Sequence, residues 1–156
     1  MPDQKSLVNE LAGEFAKSIL SSANHNKEVL EPLEIEIPDK NMFYINLVLW
    51  ESWMFFVALG KVNPPQGEEI LSKTHVQIGS SLQKITMERF TYLAQQLYPI
   101  FSQAFTGSDD IDLPTILSQM LFGEDIIIEG FQDYIEKLTS ATIDSHIKTI
   151  QGVFGE

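Results

Sequence analysis

An all-α fold is predicted for this chain: a compact single-domain bundle of about five helices over residues 1–156. Three observations predict it. The stretch 42–59 (MFYINLVLWESWMFFVAL) is apolar at fifteen of eighteen positions, too apolar for a surface helix, so other helices must wrap it. Elsewhere, apolar residues recur at spacings of three and four, the period of an amphipathic helix. Proline and glycine punctuate the chain between those runs, and strand-like alternation is clear in one short segment, with 75–78 (HVQI) also open to a strand reading.

The first helix has Leu7, Leu11, Phe15 and Ile19 on one line, with Val8, Ala12, Ala16 and Leu20 beside it. Asp3 or Ser6 can cap its start, and the polar run 21–26 (SSANHN) is expected to end it. Leu33, Ile35 and Ile37 then alternate with Glu34 and Glu36 between Pro32 and Pro38. One strand makes no sheet, so residues of about 29–38 are expected to form a short extended connector across the helices.

The second, central apolar helix is expected over about 39–60, with Asp39 as its N-cap. A bilayer span needs about 20 mainly apolar residues, and the central Glu51 would cost roughly 2.5–3.5 kcal/mol on insertion. No basic cluster orients the segment, so wrapping by the rest of the chain is the expectation, and membrane insertion is not. Asn63, Pro64 and Pro65 break the helix firmly.

Gly67, Glu68 and Glu69 open a long third region with acid in its first turn, where the helix dipole favours it. Leu71, His75, Ile78, Leu82, Ile85 and Arg89 follow at alternating spacings of four and three, and Phe90, Leu93, Leu97, Ile100 and Ala104 carry the pattern to Gly107. Gly79, Ser80 and Ser81 weaken its middle, where a break is the main alternative, and Pro99 should kink its end. Asp112 can cap a short helix with Pro114 in its first turn, stopped by Gly123. The last helix is expected from about 124 to 153. Its two apolar lines, Ile127, Phe131, Tyr134, Leu138 and then Ile143, Ile147, Ile150, Phe154, fall out of step, which suggests a bend or a break at Thr139 and Ser140.

Composition bounds the function. Ten Phe, two Trp and 44% apolar residues place the chain outside the disordered class despite a net charge of −12. Without cysteine, disulfides, thiolate zinc sites and thiol nucleophiles are excluded. The opening MPDQKSLVNE lacks the basic and apolar regions of a signal peptide, so a cytoplasmic location is expected. The acidic balance, with Arg89 the one arginine, argues against nucleic acid and anionic membranes and suits a basic partner protein.

Glu51 is the residue that most needs explaining. Its helical neighbours Leu47, Val48, Met54 and Phe55 are all apolar, and a carboxylate stripped of water must find a partner or take up a proton. Arg89, on the apolar line of the third region, is the expected partner for a buried or half-buried pair. The competing reading lets Glu51 reach solvent through a gap. Trp50 and Trp53 lie beside it and could line a pocket for an apolar ligand, though core packing is the commoner fate of such residues.

Other candidates carry less. His25, His75 and His146 lie in separate segments with no metal-binding spacing, and His75 reads as a hydrogen-bonded flank residue. The run Asp109, Asp110, Ile111, Asp112 lacks the glycine and the bidentate Glu of a calcium loop. No nucleophile elbow or phosphate-binding glycine loop is present, so no catalytic residue, metal or cofactor is assigned. Asp125, Glu129, Asp133 and Glu136 form an acidic ridge at helical spacing, suited to docking Lys and Arg.

Two functions follow as expectations. The leading one is a non-catalytic, inhibitor- or adaptor-like interaction module that binds a basic partner protein through this ridge. The other is a small-molecule sensor or carrier holding an apolar ligand in the bundle core near Trp50, Glu51, Trp53 and Arg89. Homodimerisation through surplus apolar surface on the second helix is compatible with either.

Overall fold

Asp39 starts the element on which everything else is built. In this computed structural model, which describes residues 4–30, 39–107, 111–123 and 130–154, the Asp39 carboxylate accepts hydrogen bonds from the Asn41 and Met42 amides. That satisfies two otherwise orphaned donors at the start of a helix over Lys40–Val62. Asn63, in the left-handed region at φ 52°, closes it by donating a hydrogen bond from its backbone amide to the Leu59 carbonyl, just ahead of Pro64.

Among the described residues six helices run in order: α1 (Gln4–Leu30), α2 (Lys40–Val62), α3 (Gly67–Ser81), α4 (Met87–Thr106), α5 (Leu113–Phe122) and α6 (Phe131–Phe154). No strand occurs among the described residues. Every residue of 45–55 is buried, and α2 packs against all five other helices, which no other helix does among the described residues. The expected central apolar helix is therefore the axis of the bundle. It is also the one helix among the described residues long and apolar enough to cross a membrane, yet 78% of its apolar window is buried by the rest of the chain.

Aromatic pairs fix the layers around it. Phe15 of α1 meets Phe55 at 4.3 Å between ring centroids, Phe43 meets Phe122 of α5 at 5.6 Å, and Trp53 meets Phe101 of α4 at 5.6 Å. Such pairs add about 0.5–1.5 kcal/mol beyond the area they bury.

The described residues hold six helices, not about five, because the expected third region is two helices. Ser81 Oγ turns back onto the Gln77 carbonyl at 2.8 Å, Leu82 is extended, and Thr86 caps α4 by accepting from the Arg89 amide. The chain can fold back tightly there because Gly79 has no side chain: a Cβ at that position would stand 3.2 Å from the Met87 Cα.

Three other boundaries differ from expectation. The run 21–26 does not end α1, because Ala23, Asn26 and Leu30 continue its buried face. Val29 and Leu30 are consequently helical, and the rest of the expected connector, 31–38, lies outside the described residues. The described part of the last helix begins at Phe131, after Gly130 at φ 87°. It continues unbroken through Thr139, whose hydroxyl donates to the Ile135 carbonyl at 2.7 Å. Ile135, Thr139, Ile143, His146 and Ile150 form one buried face, so the two apolar lines are bridged by a threonine and the helix does not break there.

Candidate functional site

Trp50, Glu51 and Trp53 lie in the core of the bundle. Trp50 and Trp53 are fully buried; the Trp53 indole donates to Ser102 Oγ at 2.9 Å, while Trp50 Nε1 has no hydrogen-bond partner among the described residues. Glu51 is 1% exposed, so the reading in which it reaches solvent is corrected. Its partner is also not the arginine. Asn26 Nδ2 of α1 donates to Glu51 Oε1 at 2.7 Å, and the Tyr134 hydroxyl of α6 donates to Asn26 Oδ1 at 3.1 Å.

Arg89 lies exposed at the start of α4, with its guanidinium 5.3 Å from the centre of the Tyr92 ring. The expected Glu51–Arg89 pair therefore does not form. A neutral amide, supplied by the part of α1 that lies beyond its expected end, takes its place. Burial raises the Glu51 carboxyl to about 7, with the Asn26 hydrogen bond pulling the other way. Glu51 Oε2 accepts from nothing among the described residues.

Of the acidic ridge, Asp125 and Glu129 lie outside the described residues. Asp133 and Glu136 are exposed on α6, and Asp133 is already paired with Lys137 at 2.9 Å. His146 sits between Phe15 and Phe55, at 5.6 and 5.7 Å between ring centroids, and burial holds it down to about 4. It is a neutral core residue.

A concavity lined by described residues lies elsewhere. A groove of about 590 Å³ opens between α3 and α4, with Phe56 of α2 at its edge. Leu71 and Val76 of α3 face Met87, Ala94, Tyr98 and Pro99 of α4 across it. Phe56, Val76 and Met87 remain 37%, 46% and 37% exposed at its rim, an apolar cluster that the fold leaves uncovered.

One internal polar pair interrupts this surface. His75 Nε2 lies 2.8 Å from the Tyr98 hydroxyl. The His75 ring is set edge-on to Phe90 at 6.0 Å, and Phe56 packs on Tyr98 at 5.0 Å. Burial lowers His75 to about 4 and raises Tyr98, so both are neutral at physiological pH. Pro99 contributes differently: it has no amide to donate to the Gln95 carbonyl one turn earlier, and both residues line the groove. Thr91 and Ser72 add hydroxyls, and Glu68 is the single charged residue among the described ones that line it.

The sequence places His75 and Leu71 on one apolar line but does not reveal Phe56, Met87, Thr91 and Tyr98 as their partners. That line presumes a continuous helix, whereas the chain reverses between Leu82 and Thr86 and sets its two halves face to face. The glycine-serine run 79–81 is the available signal. No family model, curated protein or solved structure matches this chain.

Proposed function

We propose that this chain is a non-catalytic binding domain, a sensor or carrier, whose α3–α4 groove takes a small, uncharged, mainly apolar molecule. The observation that carries the reading is the groove itself. Its volume of about 590 Å³ falls within the roughly 300–1,000 Å³ typical of small-molecule sites. Its walls are mostly aliphatic and aromatic, and its few polar groups converge on the neutral His75–Tyr98 pair. A ligand with one hydroxyl, amide or carbonyl would exchange a bond with that pair or with the Gln95 carbonyl while burying its remainder. A free carboxylate is disfavoured, since no Lys or Arg among the described residues lines the groove and Glu68 stands beside it.

This keeps the carrier expectation and moves its site away from Trp50, Glu51 and Trp53. Docking of a basic partner on the acidic ridge has less to support it, because Asp133 is already matched by Lys137.

The test is titration with N-phenyl-1-naphthylamine, a neutral probe that fluoresces in apolar sites. Saturable one-to-one binding is expected. Thr91→Trp, which fills the groove, should abolish it without lowering the melting temperature, and Trp50→Phe should leave it intact. Unchanged binding in Thr91→Trp, or none in the wild type, overturns the proposal.

A further inference from the structure

The hydrogen bonds around Tyr98 decide which way the groove's polar pair points. The Tyr98 hydroxyl is buried, and His75 Nε2, at 2.8 Å, is the one hydrogen-bond partner it has among the described residues. Ser52 Oγ of α2 lies near the same hydroxyl but meets no partner with hydrogen-bond geometry among those residues. A buried hydroxyl whose proton has no acceptor costs more than a spare lone pair on its oxygen. Tyr98 therefore donates, and His75 Nε2 is the bare, accepting nitrogen. Burial keeps the imidazole neutral, so its one proton stands on Nδ1. Nδ1 makes no hydrogen bond among the described residues and is not sealed from solvent.

We infer that His75 Nδ1–H is the donor by which the groove selects its ligand, and that this ligand is a neutral carbonyl compound (a ketone, ester or amide) held through its carbonyl oxygen. This specificity rests on the α3–α4 groove being the binding site, as proposed above, and names the ligand class it takes. The other polar groups along the groove do not make the same choice. Glu68, Ser72 and Gln95 are exposed and keep their water. The Thr91 hydroxyl can donate or accept, so it does not discriminate. His75 is half-buried, and its ring is held between the Tyr98 hydroxyl and the Phe90 ring. Its N–H therefore needs no reordering when a ligand arrives. Tyr98 is a positioning residue: it fixes the imidazole proton on the nitrogen that faces away from it.

Two readouts on the full chain test this. Nitrogen-15 NMR of the unliganded protein at neutral pH, with His75 assigned through its contacts to the Phe90 and Tyr98 rings, should show the proton on Nδ1 and Nε2 bare. Tyr98→Phe, which removes the donor to Nε2, should release that preference. Displacement of N-phenyl-1-naphthylamine then compares 2-acetylnaphthalene with 2-isopropenylnaphthalene, which keeps the shape but has a methylene in place of the carbonyl oxygen. A neutral hydrogen bond is worth about two- to tenfold in affinity. His75→Phe should therefore weaken the ketone relative to the hydrocarbon by about that factor. A proton on Nε2 in the wild type, or a ketone-to-hydrocarbon ratio unchanged in His75→Phe, overturns the inference and leaves groove binding standing. Failure of N-phenyl-1-naphthylamine to bind the wild type overturns the groove reading and this inference with it.

Discussion

Glu51 shows how a single polar residue can organise an apolar axis. Its partner Asn26 occupies a core position on a segment whose composition, Ser, Ser, Ala, Asn, His, Asn, reads as a helix end. The amide is inside because the acid needs it, and α1 continues because the amide must reach. Neither residue announces this alone, which is why the sequence suggests Arg89 and the structure does not. The pairing has a pH signature. Because burial raises the carboxyl from 4.5 to about 7, the native state holds the proton more tightly than the unfolded chain does. The stability contributed by Glu51 is then complete below about 4.5, declines as pH rises through about 7, and is level above that. Glu51→Gln should remove this decline and, above pH 7, stabilise the fold by on the order of 3 kcal/mol, as measured by urea unfolding across pH. His75 and His146, lowered from 6.5 to about 4, act in the opposite sense. Their contribution is present above 6.5 and is lost as pH falls through 4, so the variant should keep its acid limb. Identical pH profiles for wild type and Glu51→Gln would remove the buried-acid description. Since Arg89 lies on the surface beside Tyr92, combining Glu51→Gln with Arg89→Met should give effects that add within about 0.5 kcal/mol. A larger coupling would restore the discarded ion pair.

At the scale of elements, the chain advertises its termini well. Asp39, Asp112, Gly107 and Gly123 cap or close helices where their side chains or lack of one make that favourable. What stays hidden is any feature set by a distant contact, and Gly79 is the clearest case. Read locally, it is a weak spot in a helix; in the fold it lies against Met87, the first residue of α4. A Cβ there would meet Met87 at 3.0 Å from Cγ and 3.2 Å from Cα, and the backbone atom cannot simply swing away. Gly60 has nothing within 4 Å of the same atom. Gly79→Ala should therefore lose about 1–2 kcal/mol through crowding, despite its better helix propensity. Gly60→Ala should gain up to about 1 kcal/mol. Urea midpoints for the two variants moving in the same direction would mean that the α3–α4 corner is looser than described. The same corner forms the groove, so Gly79→Ala should also weaken binding of the neutral probe.

For the whole molecule, the apolar run of α2 makes the bundle legible in the sequence alone: a helix of that character with an acid at its centre needs a protein sheath. The α3–α4 groove is not legible there, because it depends on how the sheath closes: it takes Phe56 from an edge of the same central helix. Binding there presupposes that α2 is wrapped by its own chain. Acrylamide quenching of Trp50 and Trp53 tests that arrangement most directly, since both are fully buried. In detergent-free buffer, blue-shifted emission that resists acrylamide until urea unfolds the chain is the predicted result. Ready quenching of both indoles in the native protein, or a requirement for detergent to keep it in solution, would contradict it.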